Sequence, residues 1–313
     1  MRPYKFLQFD VFTDRKFCGN PLAVFPEAEG ITDEQMMKIA REMNLSETVF
    51  VLKSESEQVL RHLRIFTPIR EIPFAGHPIV GTWTALAQEG VVPVPEGGSG
   101  WQRIFHEVGI GILPVDIEFQ DGKAVQVVMT QGTFEIINEI DDSHEQSEVA
   151  RALGLAREDL DESLPIQVIT TGLSCLAVPV RSLADMRDIR VDATLLADIY
   201  KRHGATGCHA FTRETIEVGA SRAHARFFAP ADNIPEDPAT GSACGALGAY
   251  LVHHGGLSLE LEDGRYKFVI EQGDFIHRPS RINLDVKGQP GNVEEVKVGG
   301  LAVLVARGEV FVE

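Results

Sequence analysis

An internal repeat constrains this chain more than any other feature. The segment His62-Leu-Arg-Ile-Phe-Thr-Pro68 aligns with His224-Ala-Arg-Phe-Phe-Ala-Pro230 at an offset of 162 residues, with His, Arg, Phe and Pro identical. Upstream, Leu22-Ala-Val24 matches Leu176-Ala-Val178 at offset 154, and Met36, Met37 and Ala40 face Leu195, Leu196 and Ile199 at offset 159. Downstream, Gly81, Glu107 and Gly109 match Gly245, Glu271 and Gly273 at offset 164. The drift runs in one direction, as small insertions between equivalent elements produce, so the chain carries two copies of one supersecondary unit. Each copy reads as strand, strand, amphipathic helix, strand, strand, a second helix and further strands. This predicts an α+β fold of two pseudo-symmetric domains, 1–120 with 298–313 and 121–297, meeting across a cleft of the kind that ligands favour.

Within each copy the helices carry the most information. Thr32 with Gln35 three residues on has the spacing of a capping box, and Met36, Met37, Ala40 and Met43 share one face of the helix that follows. Val59 to Phe66 reads as the next strand. His77-Pro78 and Asp237-Pro238 each place a polar residue at an expected N-cap with proline at the first helical position. After Asp237 the segment Ala239 to Ala249 is almost all small residues, the composition of a helix enclosed by its own domain's curved sheet. Its glycines Gly241, Gly245 and Gly248 cost about 1 kcal/mol each against alanine, so something must approach that backbone closely. Two such helix starts facing one cleft would favour an anion, and a carboxylate substrate suits them.

Composition narrows the partners. Among 313 residues Lys and Arg number 29 and Asp and Glu 46, and the resulting charge of −17 opposes binding to nucleic acid or an anionic membrane surface. No apolar run approaches the roughly 18 residues of a membrane span, and the N-terminal stretch lacks a signal-peptide core, so a cytoplasmic protein is expected. Cys18, Cys175, Cys208 and Cys244 have no metal-ligand spacing, and reduced thiols fit best. GxxxxGK[ST], HExxH and GxSxG are absent, and Gly109-Ile-Gly111 lacks the third glycine of a dinucleotide fingerprint. No cofactor and no metal are expected.

The repeat also makes asymmetry legible. At offset 161 Phe50 falls on Phe211 and Glu47 on Cys208, a carboxylate in one copy and a thiol in the other. Read from the residues alone, Glu47 is either a strand-end glutamate or a general acid/base whose pKa apolar walls raise. His77 suits proton exchange near neutral pH, and Asp237 either caps a helix or completes a proton-handling trio with Glu47 and His77. Cys18 and Cys244 lie near glycines, where free cysteines usually serve packing.

These residues carry a family resemblance. Phe9-Asp-Val-Phe-Thr13 with Gly19-Asn-Pro-Leu-Ala-Val24, Leu45-Ser-Glu-Thr48, Phe66-Thr-Pro68 with Phe74-Ala-Gly-His-Pro78, and Glu236-Asp-Pro-Ala-Thr-Gly-Ser-Ala243 resemble the phenazine-biosynthesis PhzF-like isomerases. The likeness extends to Gly273-Asp-Phe-Ile-His-Arg-Pro-Ser280 and Val298-Gly-Gly300, nearly the whole chain. It implies a diaminopimelate epimerase-like fold, each domain a curved, mostly antiparallel sheet around a central helix. It implies cofactor-independent isomerisation of a small amino- or hydroxy-carboxylic acid, and a homodimer. Glu47 matches the family's catalytic glutamate, with His77 and Asp237 beside it; Asn20, Gly76, Thr240, Gly241 and Ser242 match positions that bind or orient substrate. Ile79 and Trp83 depart from the pattern and are expected to alter the pocket, and the cysteine pair of two-base epimerases is absent. A lyase or hydrolase on the same scaffold, or a non-catalytic small-molecule binder, are the alternatives, because a scaffold does not fix function.

Overall fold

The computed structural model describes residues 1–257 and 261–313 and opens on an antiparallel pair, β1 (Arg2–Val11) and β2 (Asn20–Phe25). Helix α1 (Asp33–Met43) crosses to β3 (Glu47–Leu52), parallel to β2, and β4 (Arg61–Phe66) returns antiparallel to β3. The short β5 (Glu71–Ile72) leads into α2 (Gly76–Gln88), and β6 (Gly100–Val108), β7 (Gly111–Gln120) and β8 (Lys123–Thr130) complete the series. The capping box forms as expected: Thr32 and Gln35 exchange hydrogen bonds at the start of α1. Met36, Ile39 and Ala40 are buried in one cluster with Phe25, Phe50 and Phe66, with Met37 and Met43 at its edge.

A second series follows: β9 (Glu135–Ile140), α3 (Ser143–Ala152), β10 (Ile166–Thr170), β11 (Cys175–Pro179), α4 (Leu183–Asp188), α5 (Ala193–Arg202) and β12 (Cys208–Thr212). It continues through β13 (Ser221–Ala229), β14 (Ile234–Asp237), α6 (Gly241–His253), β15 (Arg265–Gln272), β16 (Ser280–Gln289) and β17 (Asn292–Gly300), and the chain ends in β18 (Ala302–Val312). Two compact units result, Met1–Thr130 with Gly299–Glu313, and Gln131–Val298. Strand pairing runs β18-β1-β2-β3-β4-β6-β7-β8 in the first unit and β9-β10-β11-β12-β13-β15-β16 in the second. The parallel steps fall at matching places, so the α+β class and the repeat are both present.

The ladders fix the register of the repeat. Leu22 pairs with Glu47 as Leu176 pairs with Cys208, and His62 pairs with Glu107 as His224 pairs with Glu271. The five-residue growth in offset between β2/β11 and α1/α5 is the inserted α4. One boundary differs from expectation. Residues 120 and 121 do not divide the units, because Asp121 (φ 49°) and Gly122 (φ 76°) form the tight turn of the β7–β8 hairpin, a two-residue Asp-Gly loop that keeps β8 in the first unit.

In each unit one thirteen-residue helix is enclosed. Every residue of α2 from Gly76 to Leu86 is buried, and α6 is buried from Gly241 to Val252 except at Ser242. The two helices pack against β8, β1 and β2, and against β16, β10 and β15, respectively. Gly81 and Gly245 occupy matching turns: a Cβ on Gly81 would lie 2.6 Å from both Leu22 and Val11, and one on Gly245 only 2.0 Å from the Gln131 side chain. Trp83 does not shape a pocket as expected; it is fully buried, and its indole N–H donates to His106 Nδ1 at 3.0 Å. Ile79 is likewise fully buried in the core. Overpacking a tight site costs roughly 1–3 kcal/mol, so Gly81→Ala should lower the urea midpoint of the first unit measurably, and an unchanged midpoint would refute the close approach of Leu22 and Val11.

Candidate active site

The first unit brings three of the expected residues together. Glu47 opens β3 and His77 is the second residue of α2; His77 Nε2 lies 3.1 Å from Glu47 Oε2. Both side chains are shielded, with relative exposures of 6% for His77 and 13% for Glu47, and neither atom has another partner among the described residues. Asn20, the first residue of β2, completes the cluster with its amide nitrogen 3.3 Å from His77 Nδ1. Gly76 is the first residue of α2, behind Ala75 at the N-cap.

The second unit assembles Asp237, Thr240, Gly241 and Ser242. Asp237 ends β14, and the Thr240 hydroxyl donates to its Oδ2 at 2.5 Å. Thr240 is the N-cap of α6, with Gly241 and Ser242 as its first two residues. The expectation that His77 and Asp237 cap their helices is therefore corrected. Each helix starts at its glycine, Gly76 or Gly241, and Asp237 lies in the preceding strand. The β4–β5 and β13–β14 ladders, with Ile65 opposite Ile72 and Phe227 opposite Asp237, show why. The proline after Asp237 corresponds to Pro73, not Pro78, so Glu71-Ile-Pro-Phe-Ala-Gly-His77 aligns with Glu236-Asp-Pro-Ala-Thr-Gly-Ser242. Asp237 thus replaces Ile72, and Ser242 replaces His77.

The starts of these two helices differ from all the others. Thr32, Asp142, Ser182 and Asp192 cap α1, α3, α4 and α5 with side-chain hydrogen bonds. Neither α2 nor α6 has a side-chain cap, although an N-cap hydrogen bond is worth about 1 kcal/mol. Ala75 has no group to offer, and the Thr240 hydroxyl donates to Asp237 Oδ2 and accepts from Gln272 Nε2 without accepting from a helical N–H. The N–H groups of Gly241, Ser242 and Ala243 find no acceptor among the described residues and lie at the positive end of the helix dipole.

The thiols are poor candidates for this chemistry. Cys208, the counterpart of Glu47, is fully buried, and burial pushes its thiol up; burial pushes the Cys244 thiol up as well and that of Cys175 to about 12. Among the described residues no three His, Cys, Asp or Glu side chains converge to hold a metal, and no helix is long and apolar enough to cross a membrane. Burial holds His106 near 4 and His209 near 3, below the ordinary histidine value of 6.5. The unfolded chain therefore binds more protons than the folded one between those values and 6.5, and stability falls as pH is lowered through that window. Urea midpoints should drop between pH 7 and pH 4.5, less steeply in His106→Asn, whose amide oxygen keeps the Trp83 bond; equal slopes would contradict the depressed value.

Comparison with known proteins gives a consistent result. A family model described as phenazine biosynthesis-like protein matches residues 9–308. An uncharacterized isomerase of Clostridium acetobutylicum is 37% identical over 310 residues, 99% of this chain and 98% of that protein. The trans-2,3-dihydro-3-hydroxyanthranilate isomerase of Pseudomonas aeruginosa is 34% identical over 311 residues, 98% of this chain and 99% of that one. The crystal structure of a Bacillus anthracis phenazine biosynthesis protein of the PhzF family superimposes with a TM-score of 0.85 at 29% identity, over the full length of both chains.

Proposed function

The chain belongs to the phenazine biosynthesis-like protein family, and on that footing we propose that it is a cofactor-independent isomerase of a small amino- or hydroxy-carboxylic acid. The observation that carries this reading is the shielded pair of Glu47 Oε2 and His77 Nε2, 3.1 Å apart and without other partners among the described residues. Glu47 takes a proton from a carbon conjugated with the substrate carboxylate, leaving an enolate-like anion. The uncapped N–H groups of α6 hold the carboxylate on which that charge accumulates, and interactions that strengthen as charge develops lower the barrier. His77, beside Glu47, donates a hydrogen bond to a substrate heteroatom as Glu47 becomes protonated. The Glu47 carboxyl proton exchanges with solvent, and Glu47 then delivers one proton to a second carbon, so atoms and charge balance without a co-reactant. Asp237, oriented by Thr240, accepts from a substrate hydroxyl or amino group. In this reading the active chain is a homodimer.

The dihydro-hydroxyanthranilate turned over by the Pseudomonas aeruginosa relative is the first compound to test. In deuterated water a shift through Glu47 should place deuterium at the newly protonated carbon of a product otherwise unchanged in mass. General acid/base groups contribute roughly 10²–10⁴-fold, so Glu47→Gln should lose at least that much turnover while keeping ligand binding and the thermal midpoint. Turnover within tenfold of the wild type would remove Glu47 from the mechanism, and a product lighter by the mass of water would make the reaction an elimination.

A further inference from the structure

Side chains of β6 and β7 alternate between two sides of the sheet, and one side, with Ile104, His106, Val115 and Ile117, is buried. The other side of β6 carries Trp101, Arg103 and Phe105, paired across to Glu118, Asp116 and Pro114 of β7, with Ile112 one row further on. Trp101, Phe105 and Ile112 are 54%, 44% and 52% exposed, and between them Arg103 forks onto Asp116 at 2.7 and 2.9 Å. Helix α1 buries Phe50 and Phe66 on this same side of β3 and β4 but leaves the aromatic rings of β6 open. The repeat supplies a solvent-facing version of the surface. Offset 164 carries Trp101 to Arg265, Arg103 to Lys267 and Phe105 to Val269, and the β15–β16 ladder sets Arg281 opposite Glu271 as Ile112 is set opposite Glu107. There the two arginines pair with carboxylates, Arg265 with Asp285 and Glu295, Arg281 with Asp274 and Glu217. The fold therefore accepts charged residues at these places, and does not itself require the apolar patch of the first unit.

We propose that this face of β6 and β7 is the interface between two copies of the chain. Large side chains stand on β6, smaller apolar ones on β7, and opposite charges share one row, so the face is complementary to itself. A two-fold axis running along the strands between β6 and β7 lays β6 of each copy over β7 of the other. Phe105 then meets the partner's Pro114 and Arg103 the partner's Asp116, each contact made twice, as an isologous interface requires. Strands of nine and ten residues reach about 30 Å, and with β8 and the end of β4 the face is about 20 Å wide. Two copies thus cover about 1,200 Å² together, the area of a small but specific interface. Tryptophan and arginine are the residues that most often anchor such contacts. In a chain of net charge −17, two copies repel except through a patch like this one, whose central cation is matched by a carboxylate.

The inference rests on the homodimer of the reading above and gives it a surface. The two tryptophans of the chain supply the readout, because Trp83 is fully buried within its unit and Trp101 stands on the proposed interface. At micromolar concentration the full chain should sediment at twice the mass of one copy, and acrylamide should quench neither tryptophan appreciably. Trp101→Arg with Ile112→Arg, which installs the residues found at the matching places of the second unit, should weaken association roughly a hundredfold or more and leave a monomer with unchanged circular dichroism. A dimer that survives both substitutions overturns the proposal and moves the homodimer to another surface. A monomeric wild type overturns the interface and the homodimer together, while the deuterium experiment still judges the isomerase reading. Should the double variant fail to fold, the wild-type dimer decides: quenching of Trp101 in it counts against this face, and resistance supports it.

Discussion

A bidentate guanidinium–carboxylate pair stands at the same place in both units, and the starts of the central helices depend on it. Arg64 grips Glu71 through Nε and Nη2 at 2.8 and 2.7 Å, and Arg226 grips Glu236 through the same atoms at 2.9 and 2.6 Å. The forked geometry of arginine matches a carboxylate in only one relative orientation, so each pair fixes β5 on β4 and β14 on β13 in direction as well as position. The following turn of a few residues then delivers Gly76 or Gly241 to the mouth of its sheet. In the second unit both partners are about nine-tenths buried, where loss of one leaves an uncompensated charge and costs roughly 3–5 kcal/mol. The arginine shared by the two repeated heptapeptides is thus a scaffold residue that places the turn before each central helix.

On this common frame the two units differ at few positions, and the differences sort by chemistry. The first unit has Glu47, His77, Ile72 and Val108 where the second has Cys208, Ser242, Asp237 and Gln272. Histidine is the side chain suited to proton exchange near neutral pH, and in the first unit it lies 3.1 Å from a carboxylate. The second unit holds a fixed hydrogen-bond network instead, with a carboxylate, a hydroxyl and an amide saturating one another around open helix N–H groups. On the proposed reading the first unit moves a proton and the second holds an anion.

Much of this was legible in the sequence because the repeat is carried by residues with structural duties. His62 and His224 pair in register with Glu107 and Glu271, and in the second unit that register becomes a buried contact of 3.1 Å between His224 Nδ1 and Glu271 Oε2. What the sequence obscured was the turn before each central helix. Glu71 follows its arginine by seven residues and Glu236 by ten, so the pairing is lost in an offset fixed on the heptapeptides. Two prolines, Pro73 and Pro78, flank the first turn while only Pro238 follows Asp237, and reading Pro238 against Pro78 put Asp237 opposite His77. Gln272 gave no signal, since a lone glutamine at a strand end becomes informative only when its four partners are assembled in space. The Asp121-Gly122 turn was visible as a hairpin signal, and it is what carries the chain through β8 before the crossover.

The exchange of Glu47 for Cys208 also bears on stereochemistry. A scaffold with two equivalent bases can present one to each face of a carbon centre, one removing and the other delivering the proton, with inversion as the result. Here the second position holds a fully buried thiol that burial keeps protonated, and the helix start beside it carries a serine in place of the histidine. On the proposed reading a single carboxylate must both take and return the proton. A group anchored at the start of β3 reaches only the face of the substrate it lies against. The consequence is a shift between two carbons along one face, with a change in double-bond position rather than inversion of a centre, and an open helix end that keeps the anion from turning over in between.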